Sequence, residues 1–523
     1  ESTVTQFMKR GISRRGLIKG ATALGAAGLI LPAGYRKAAA EPRKGGTLRI
    51  AMGHGNTSDS LDPAIWDNAY VQVMASTIHN YLTEIDTDGS LIPEIAESWE
   101  ASEDAATWTF RIREGVTFHS GKDVTPEDVM ASINYHRGEE STSAAKPIVE
   151  PIRDIRVDGQ NVIFELDGGN ADFPFIMSDY HLPIMPSSDG RIDPSSADGC
   201  GGYVMQSFEP GVEARMTRNP DYWKSDRAHV DEVIMMPIID AAARQNALIT
   251  GEVDVIDRVD LNTVHLLERA PNVRILSVPG TQHYTFVMDS RVDPFTDNNV
   301  RLALKYAINR QQMVDTILSG YGVAGNDHPI GLSNRFHAGD LEQREYDPDR
   351  ARHYLREAGL DSLNLDLSAS DAAFGGAVDA AVLFSESAAE AGININVVRE
   401  PSDGYWSNVW MVKPFSAVYW GGRPTEDWMF SMAYASGAAW NDAFWEHERF
   451  NQILREARSE LDEDRRREMY AELQSIVRDE GSTIIPMFAN YVMAVADTVE
   501  TPEDIGANWT MDGFRAAERW WMA

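Results

Sequence analysis

Residues 347–397 constrain the fold more than any other part of the chain, because helical and strand patterns alternate there. An Asp-Pro pair and a glycine bound a predicted helix over 347–359. Leucines then alternate with polar residues over 363–367, an Ala-rich helical pattern covers 377–391, and apolar residues alternate again over 393–397. A strand, a helix and a second strand in this order predict a parallel sheet covered by helices, so the fold class is α/β.

Residues 91–194 show a different pattern, which predicts an α+β segment. Apolar and polar residues alternate over 108–112, as expected for a half-buried strand. Thr125, Pro126 and an acid at position 128 form a typical helix start. A further strand is predicted over 162–166, before a pair of glycines. We interpret residues 91–194 as a domain inserted into the α/β framework.

Short blocks of sequence point to a known family. Residues 294–310 read PFTDNNVRLALKYAINR, and their apolar residues recur with the spacing of one buried helix face. Other blocks follow each other along the chain at 91–100, 109–121, 125–129, 218–223, 251–254 and 346–360. In this order the blocks resemble the extracellular solute-binding proteins of peptide- and nickel-type ABC importers, with matches from Gly45 to about Asn490.

The resemblance implies a two-lobe periplasmic-binding-protein clamshell with three domains. The α+β domain of residues 91–194 is inserted in lobe I, and residues 289–489 form lobe II. Lobe I is then discontinuous and comprises residues 41–90, 195–288 and 490–523. In this family the chain crosses twice between the lobes, and strand-like patterns place the crossings at Thr281–Ser290 and Ile484–Ala494.

The resemblance also implies a function. The protein is expected to be the periplasmic receptor of an ABC importer, which captures a small peptide-like or anionic organic solute by lobe closure. It would then deliver the solute to permease subunits in the inner membrane. A metal- or haem-carrying member of the same family is one alternative, and a periplasmic hydrolase is another from a different class. We predict a monomer with no cofactor and no metal.

Charge and motifs exclude several other functions. The formal net charge is −33, which disfavours binding to nucleic acid phosphates. Cys200 is the only cysteine, so neither an intramolecular disulfide nor a thiolate metal cluster can form. The chain has no Gly-x-Ser-x-Gly elbow, and His447–Glu448 does not continue to a His-Glu-x-x-His motif. We therefore expect a binding protein, not an enzyme.

Residues 1–40 are predicted to be a twin-arginine signal peptide. Arg14 and Arg15 precede a weakly apolar run, and small residues at 38–40 suit a signal peptidase. No cysteine lies near this cleavage site, so we expect no lipid anchor. The mature protein should be free in the periplasm.

Nine tyrosines and tryptophans between 405 and 445 predict a ligand cleft, because aromatic side chains offer a large contact area with few rotors. Trp420 follows a predicted strand and precedes a Gly-Gly turn, where α/β folds present ligand groups. Tyr405 and Trp440 are further candidates, although about half of these aromatic residues are expected in the core. The resemblance places Trp420, Gly422 and Arg423 in the family's Trp-x-x-Asp motif.

In peptide-binding relatives the acid of this motif receives the ligand's ammonium group. Arg423 occupies that position here, and a guanidinium prefers a carboxylate or phosphate. Pairing of Arg423 with Glu426 or Asp427 is an equally weighted alternative. Further candidates for the cleft are a loop after the first strand, the end of a helix in the inserted domain, and a proposed crossing: Asn56, Thr57, Ser58, Arg137, His283 and Tyr284.

Overall fold

The computed structural model describes residues 42–401 and 404–523. The predicted signal peptide of residues 1–40, with Arg14 and Arg15, lies outside the described residues. Within the described ranges, no helix is long and apolar enough to cross a membrane.

The described chain contains short and long strands, which we number in chain order. They are β1 Thr47–Met52, β2 Thr83–Ile85, β3 Leu91–Pro93, β4 Ala96–Ala101, β5 Thr107–Ile112, β6 Ile152–Asp158, β7 Asn161–Leu166, β8 Ser187–Ser188, β9 Arg191–Ile192, β10 Tyr203–Glu209, β11 Glu213–Arg218, β12 Glu232–Pro237, β13 Val255–Ile256, β14 Val273–Met288, β15 Gly322–Ala324, β16 Leu363–Ala369, β17 Ile393–Arg399, β18 Phe415–Trp420, β19 Thr483–Ala496, β20 Val499–Glu500 and β21 Trp521–Met522.

The helices are numbered in the same way. They are α1 Ala69–Ile78, α2 Pro126–Tyr135, α3 Lys146–Val149, α4 Phe173–Ile176, α5 Ala241–Ile249, α6 Val264–Glu268, α7 Asn298–Tyr306, α8 Arg310–Ile317, α9 Pro348–Glu357, α10 Ala377–Ala389, α11 Tyr405–Asn408, α12 Glu426–Ala433, α13 Glu448–Ser459, α14 Glu463–Glu480, α15 Thr510–Gly513 and α16 Ala516–Arg519. A 3-10 turn covers Pro63–Ile65.

One 11-stranded sheet runs through the molecule in the order β10-β11-β12-β1-β13-β19-β14-β18-β16-β17, and β15 pairs with β19. β1 is parallel to β12 and β13, and β16 is parallel to β17 and β18. The parallel sheet predicted from residues 347–397 is therefore confirmed. The inserted domain has its own antiparallel sheet, in the order β4-β5-β7-β6.

Two long antiparallel strands join the two halves of the large sheet. β14 and β19 have 16 and 14 residues, and they pair from Val273 with Ala496 to Val287 with Thr483. The carboxyl-terminal end of β19 pairs with β13, and the carboxyl-terminal end of β14 pairs with β18. The predicted crossings at Thr281–Ser290 and Ile484–Ala494 fall largely on these two strands.

The two halves of the large sheet and the inserted domain have separate apolar cores. One cluster contains Phe286, Leu367 and Phe384, another contains Trp66 and Trp520, and a third fills the inserted domain. The spacing of Val300, Leu304, Ala307 and Ile308 predicted one buried face, and all four side chains are buried. The domain boundaries themselves stay a prediction.

Helix starts match the predicted caps. Asp297 accepts a hydrogen bond from Asn299 N at 2.8 Å and so caps the start of α7. Thr125 and Asp128 form a reciprocal capping box at the start of α2. Asp347 accepts from Arg350 N at 2.9 Å at the start of α9. These bonds satisfy amide groups that the first helical turn leaves without partners.

A buried ionic cluster ties the C-terminal segment to the inserted domain and lobe I. The ammonium of Lys224 lies 2.6 Å from both Glu84 and Glu94, and Arg515 lies 2.9 Å from Glu94 and from Glu518. Burial by itself raises the pKa of Glu518, but Lys224 and Arg515 outweigh it and bring the pKa to about 2. The Glu518 carboxylate is therefore charged at neutral pH.

The inserted domain also contacts lobe II. Asp172 lies 3.0 Å from Arg335 and 2.9 Å from Arg466, and all three side chains are mostly or fully buried. Ala171 N donates to Arg458 O at 2.7 Å beside this pair of contacts. Charged and backbone groups from the two domains therefore meet at this contact.

Candidate ligand-binding site

The site is built where β18 ends against the crossing strand β14. Trp420 is the last residue of β18, and it pairs with His283 in an antiparallel register. A turn through Gly421 and Gly422 follows, and Gly422 has φ +69°. A Cβ atom at Gly422 would lie 2.3 Å from Thr281. Glycine is required here because the turn is left-handed and touches the crossing strand.

A cavity of about 350 Å³ opens at this turn, and we call it the tryptophan pocket. Its lining is mostly aromatic and consists of Trp406, Trp410, Val418, Tyr419, Trp420, Gly421, Arg423 and Trp440. Three of the rings stay exposed: Trp406 by 40%, Tyr419 by 42% and Trp440 by 46%. Large apolar side chains that stay this exposed in one place indicate a binding surface.

A carboxylate behind the pocket holds two of its rings. Asp442 accepts hydrogen bonds from the indole nitrogens of Trp410 and Trp420, at 3.1 and 3.3 Å. Burial raises the pKa of Asp442 to about 6, although both indole hydrogen bonds lower it. Because both N–H groups donate to Asp442, Trp410 and Trp420 present their rings and not their N–H groups.

Arg423 forms no ion pair within the described part of the chain. Its guanidinium donates to Gly422 O and, at 3.0 Å, to the sulfur of Met432, and it lies 5.9 Å from the ring of Trp428. Burial lowers the pKa of Arg423, and Tyr180 and Asp179 partly offset this effect. A guanidinium in this setting gains most from a ligand anion.

The alternative partners of Arg423 are occupied elsewhere, so that alternative is wrong. Asp427 lies 3.1 Å from Arg458. Glu426 is only 1% exposed and accepts from Phe336 N at 2.7 Å. Neither carboxylate is placed to neutralise Arg423 or to stand in for the acid of the Trp-x-x-Asp motif.

A second aromatic group lies near Arg423, outside lobe II. Tyr180 packs edge-on against Trp509 and Phe514, which are stacked on each other with ring centroids 5.6 Å apart. Asp179, which raises the pKa of Arg423, lies 2.8 Å from Nδ1 of His181. The guanidinium therefore has Tyr180 near it as well as Trp428.

Other predicted site residues have different environments. His283 is fully buried, with Nδ1 3.0 Å from Thr281 O, and burial lowers its pKa to about 4. Tyr284 stacks on Phe374 at 4.1 Å. Tyr405 is 1% exposed and donates to Ala417 O at 2.7 Å, so it supports β18 from the core and does not line the pocket.

The remaining candidates lie outside the tryptophan pocket. Arg137 donates to the carbonyls of Ile152 and Arg153 within the inserted domain, so its guanidinium is engaged there. Asn56, Thr57 and Ser58 form an exposed loop after β1, and Asp59 accepts from Asn56 N at 2.8 Å. The pocket thus brings together Trp420, Arg423 and Trp440 of the predicted set, with Gly422 in the adjoining turn.

The comparison with known proteins gives the family. A model of the bacterial extracellular solute-binding proteins, family 5 Middle, matches residues 90–442. The chain belongs to this family. Di/tripeptide-binding protein 2 of Pseudomonas aeruginosa is 25% identical over 467 residues, which cover 81% of this chain and 86% of that protein.

Solved structures agree with the fold of a family 5 solute-binding protein. HbpA2 from Haemophilus parasuis has a TM-score of 0.79 at 20% identity, with 90% of this chain and 99% of that chain covered. The periplasmic binding protein DppA from Helicobacter pylori, solved with the peptide STSA, has a TM-score of 0.69 at 20% identity, covering 92% and 98%. The fold is the two-lobe binding-protein fold, and the protein is a substrate-binding component of an ABC importer.

Another arginine of this family 5 protein, Arg258, was not among the site residues predicted from the sequence. Arg258 follows β13, and its guanidinium donates to Nε2 of His54 in the loop after β1. It forms no ion pair among residues 42–401 and 404–523, and its φ is +47°. Burial, Arg258 and Arg244 together lower the pKa of His54 to about 4, so the imidazole is a neutral acceptor.

Hydrogen bonds from Arg244 hold the backbone around Arg258. Arg244 is buried and donates to Arg258 O at 2.9 Å and to Asp257 O at 3.1 Å. Loops after the carboxyl ends of parallel strands are where α/β sheets bind ligands, and both Arg258 and His54 lie on such loops. That rule is the sequence signal that could have found Arg258.

Metal ligands are not grouped in the described part of this family 5 protein. No three His, Cys, Asp or Glu side chains of these residues are arranged to hold a metal ion.

Proposed function

We propose that this protein captures an anionic organic solute between its lobes and releases it unchanged to the permease of its importer. It then acts as a binding protein without catalysis, as a monomer in the periplasm after export by the twin-arginine pathway. Ligand contacts to both lobes would favour the closed form, since a ligand shifts an equilibrium only by its differential affinity for the two forms.

The guanidinium of Arg423 forms no ion pair with the residues that the structure describes, and this supports the anionic ligand. A peptide ammonium group would be repelled at this position, and the two nearest acids in sequence, Glu426 and Asp427, are engaged elsewhere. A ligand carboxylate would instead receive charge-assisted hydrogen bonds, which are worth about 1.5–3 kcal/mol each.

Mass spectrometry of the small molecule that co-purifies with the protein, followed by calorimetry with that molecule, tests the proposal. Arg423→Ala should weaken its binding by roughly ten- to a hundredfold. The matched control is Arg467→Ala, which removes an exposed arginine of α14 and should leave the affinity unchanged.

Two results would contradict the proposal. Unchanged affinity in Arg423→Ala would show that the guanidinium does not contact the ligand. Recovery of the ligand in a chemically altered form after incubation with the protein would favour a hydrolase over a receptor.

A further inference from the structure

The tryptophan pocket combines aromatic walls with a positively charged guanidinium, that of Arg423. Trp406 meets Tyr419 at 5.6 Å and 71°, and Trp440 meets Trp420 at 6.2 Å and 55°. The rings therefore stand at steep angles to one another and form walls around the cavity. Among the residues that the structure describes, Arg423 is the only charged one in the lining.

Two of these walls are fixed before any ligand binds. Asp442 accepts from both indole nitrogens of Trp410 and Trp420, which lie on different segments of the chain. Trp406 also meets Trp410 edge-on at 5.8 Å. A ring that enters the pocket would find aromatic surface already in position, so little side-chain entropy would be lost on binding.

The size of the pocket limits what it can hold. A volume of about 350 Å³ lies near the lower end of the range of small-molecule sites, roughly 300–1,000 Å³. One ring system with its attached acid fits this volume better than an extended peptide does. A quaternary ammonium ion, which aromatic cages also bind, is disfavoured because the guanidinium of Arg423 would repel it.

We infer that the tryptophan pocket binds an aromatic carboxylate, with the ring between Trp406, Tyr419 and Trp440 and the carboxylate on Arg423. No free amino group is needed on the ligand, because no carboxylate of the described residues lines the pocket to receive it. This inference rests on the proposed function, and it specifies that the anionic ligand also carries an aromatic ring.

Calorimetry with three small probes separates the ring from the charge. N-acetylphenylalanine carries a ring and a carboxylate without an amine, phenylalanine amide carries a ring and an amine without a carboxylate, and N-acetylalanine carries a carboxylate without a ring. N-acetylphenylalanine should bind at least about tenfold more tightly than either of the others, because each of them lacks one of the two contacts.

A pocket variant tests where the ring binds. Trp440→Leu changes a side chain that is 46% exposed, so the fold should tolerate it. It should weaken N-acetylphenylalanine by about tenfold and leave N-acetylalanine unchanged. Val412→Ala is the matched control, because Val412 is an exposed apolar residue, 62% exposed, that does not line the pocket.

Other results of the calorimetry would contradict either this inference alone or the proposed function as well. Equal affinity for N-acetylalanine and N-acetylphenylalanine, or no binding of N-acetylphenylalanine up to millimolar concentration, overturns the aromatic carboxylate. If the co-purified ligand still depends on Arg423 in that case, the proposed anionic ligand stands and only this inference fails. Tighter binding of phenylalanine amide than of N-acetylphenylalanine contradicts both.

Discussion

Arg258 holds a backbone conformation that is unfavourable for a residue with a Cβ atom. Its φ of +47° lies in the left-handed region, which costs about 1–2 kcal/mol for residues other than glycine. Four hydrogen bonds from Arg244, to Asp257, Arg258 and two other carbonyls, over-determine the loop. Strain of this kind persists where the surrounding structure enforces it, and it concentrates at binding sites.

The strain can be measured with a pair of variants. Arg258→Gly and Arg258→Ala both remove the guanidinium, but only glycine relieves the left-handed backbone. We expect Arg258→Gly to be more stable than Arg258→Ala by about 1 kcal/mol, seen as a higher melting temperature of the ligand-free protein. Equal melting temperatures would mean that the loop relaxes without cost.

Sequence reasoning found the residues of the pocket that follow a local rule. Trp420, Gly422 and Arg423 could be predicted because a strand end, a left-handed turn and a motif position are all visible in the sequence. Asp442 could not be predicted in the same way. Asp442 acts through two indoles 22 and 32 residues away, so its role appears only when the chain is folded.

A lysine of helix α7 binds the carbonyl groups at the carboxyl-terminal end of helix α14. Lys305 is fully buried in α7, and its ammonium donates to Val477 O, Arg478 O and Gly481 O at 3.3, 2.9 and 2.8 Å. A cation at this end is favoured by the helix dipole, and the carbonyls of the last turn have no partners within the helix. Burial lowers the pKa of Lys305 well below its usual value.

Lys305→Met should therefore destabilise the protein. Methionine fills a similar volume but leaves Gly481 O without its donor, whereas Val477 O still accepts from Gly481 N and Arg478 O still accepts from Arg344, each at 2.9 Å. We expect a loss of about 1–3 kcal/mol and a lower melting temperature. Lys413→Met, at an exposed position, is the matched control and should change little. A melting temperature of Lys305→Met equal to that of the control would show that water replaces the ammonium without cost.

The helical pattern predicted the buried face of α7 but not the burial of Lys305. A lysine at this spacing is normally solvated, and only the packing of α14 against α7 gives its ammonium three acceptors. The parallel strands β16 and β17 were predictable for the opposite reason, because their alternation and the intervening helix are local properties. Contacts between elements distant in sequence were beyond such patterns.

Across the whole molecule, buried and partly buried histidines make the fold less stable as pH falls. Burial is the largest cause that lowers the pKa of seven of them, with His328 at about 3 and His283 at about 4. The seven residues are His54, His79, His119, His136, His229, His283 and His328. Each binds a proton more readily in the unfolded chain, so each destabilises the fold as pH falls below about 6.5 towards the folded pKa.

Two buried carboxylates oppose this effect over part of the range. Burial raises the pKa of Asp427 and of Asp442 to about 6, so the folded protein binds these protons more readily than the unfolded chain does. The stability that they contribute rises as pH falls through about 6 towards their ordinary pKa of 3.8. Burial also raises the pKa of Asp257 and of Glu426. Seven histidines outnumber these four carboxylates, so we expect a net loss of melting temperature from about pH 7 to about pH 4.5.

His328→Gln tests the histidine contribution directly. The folded imidazole titrates at about 3, and Nδ1 has no hydrogen-bond partner among the described residues, so glutamine removes a titrating group and no bond of Nδ1. The variant should lose less melting temperature than the wild type between about pH 7 and about pH 4.5, because one proton-linked penalty is absent. His353→Gln, at an exposed position, should keep the wild-type dependence. Asp442→Asn should steepen the loss, since it removes a group that stabilises the fold as pH falls. A His328→Gln curve parallel to the wild type would assign the acid sensitivity to other groups.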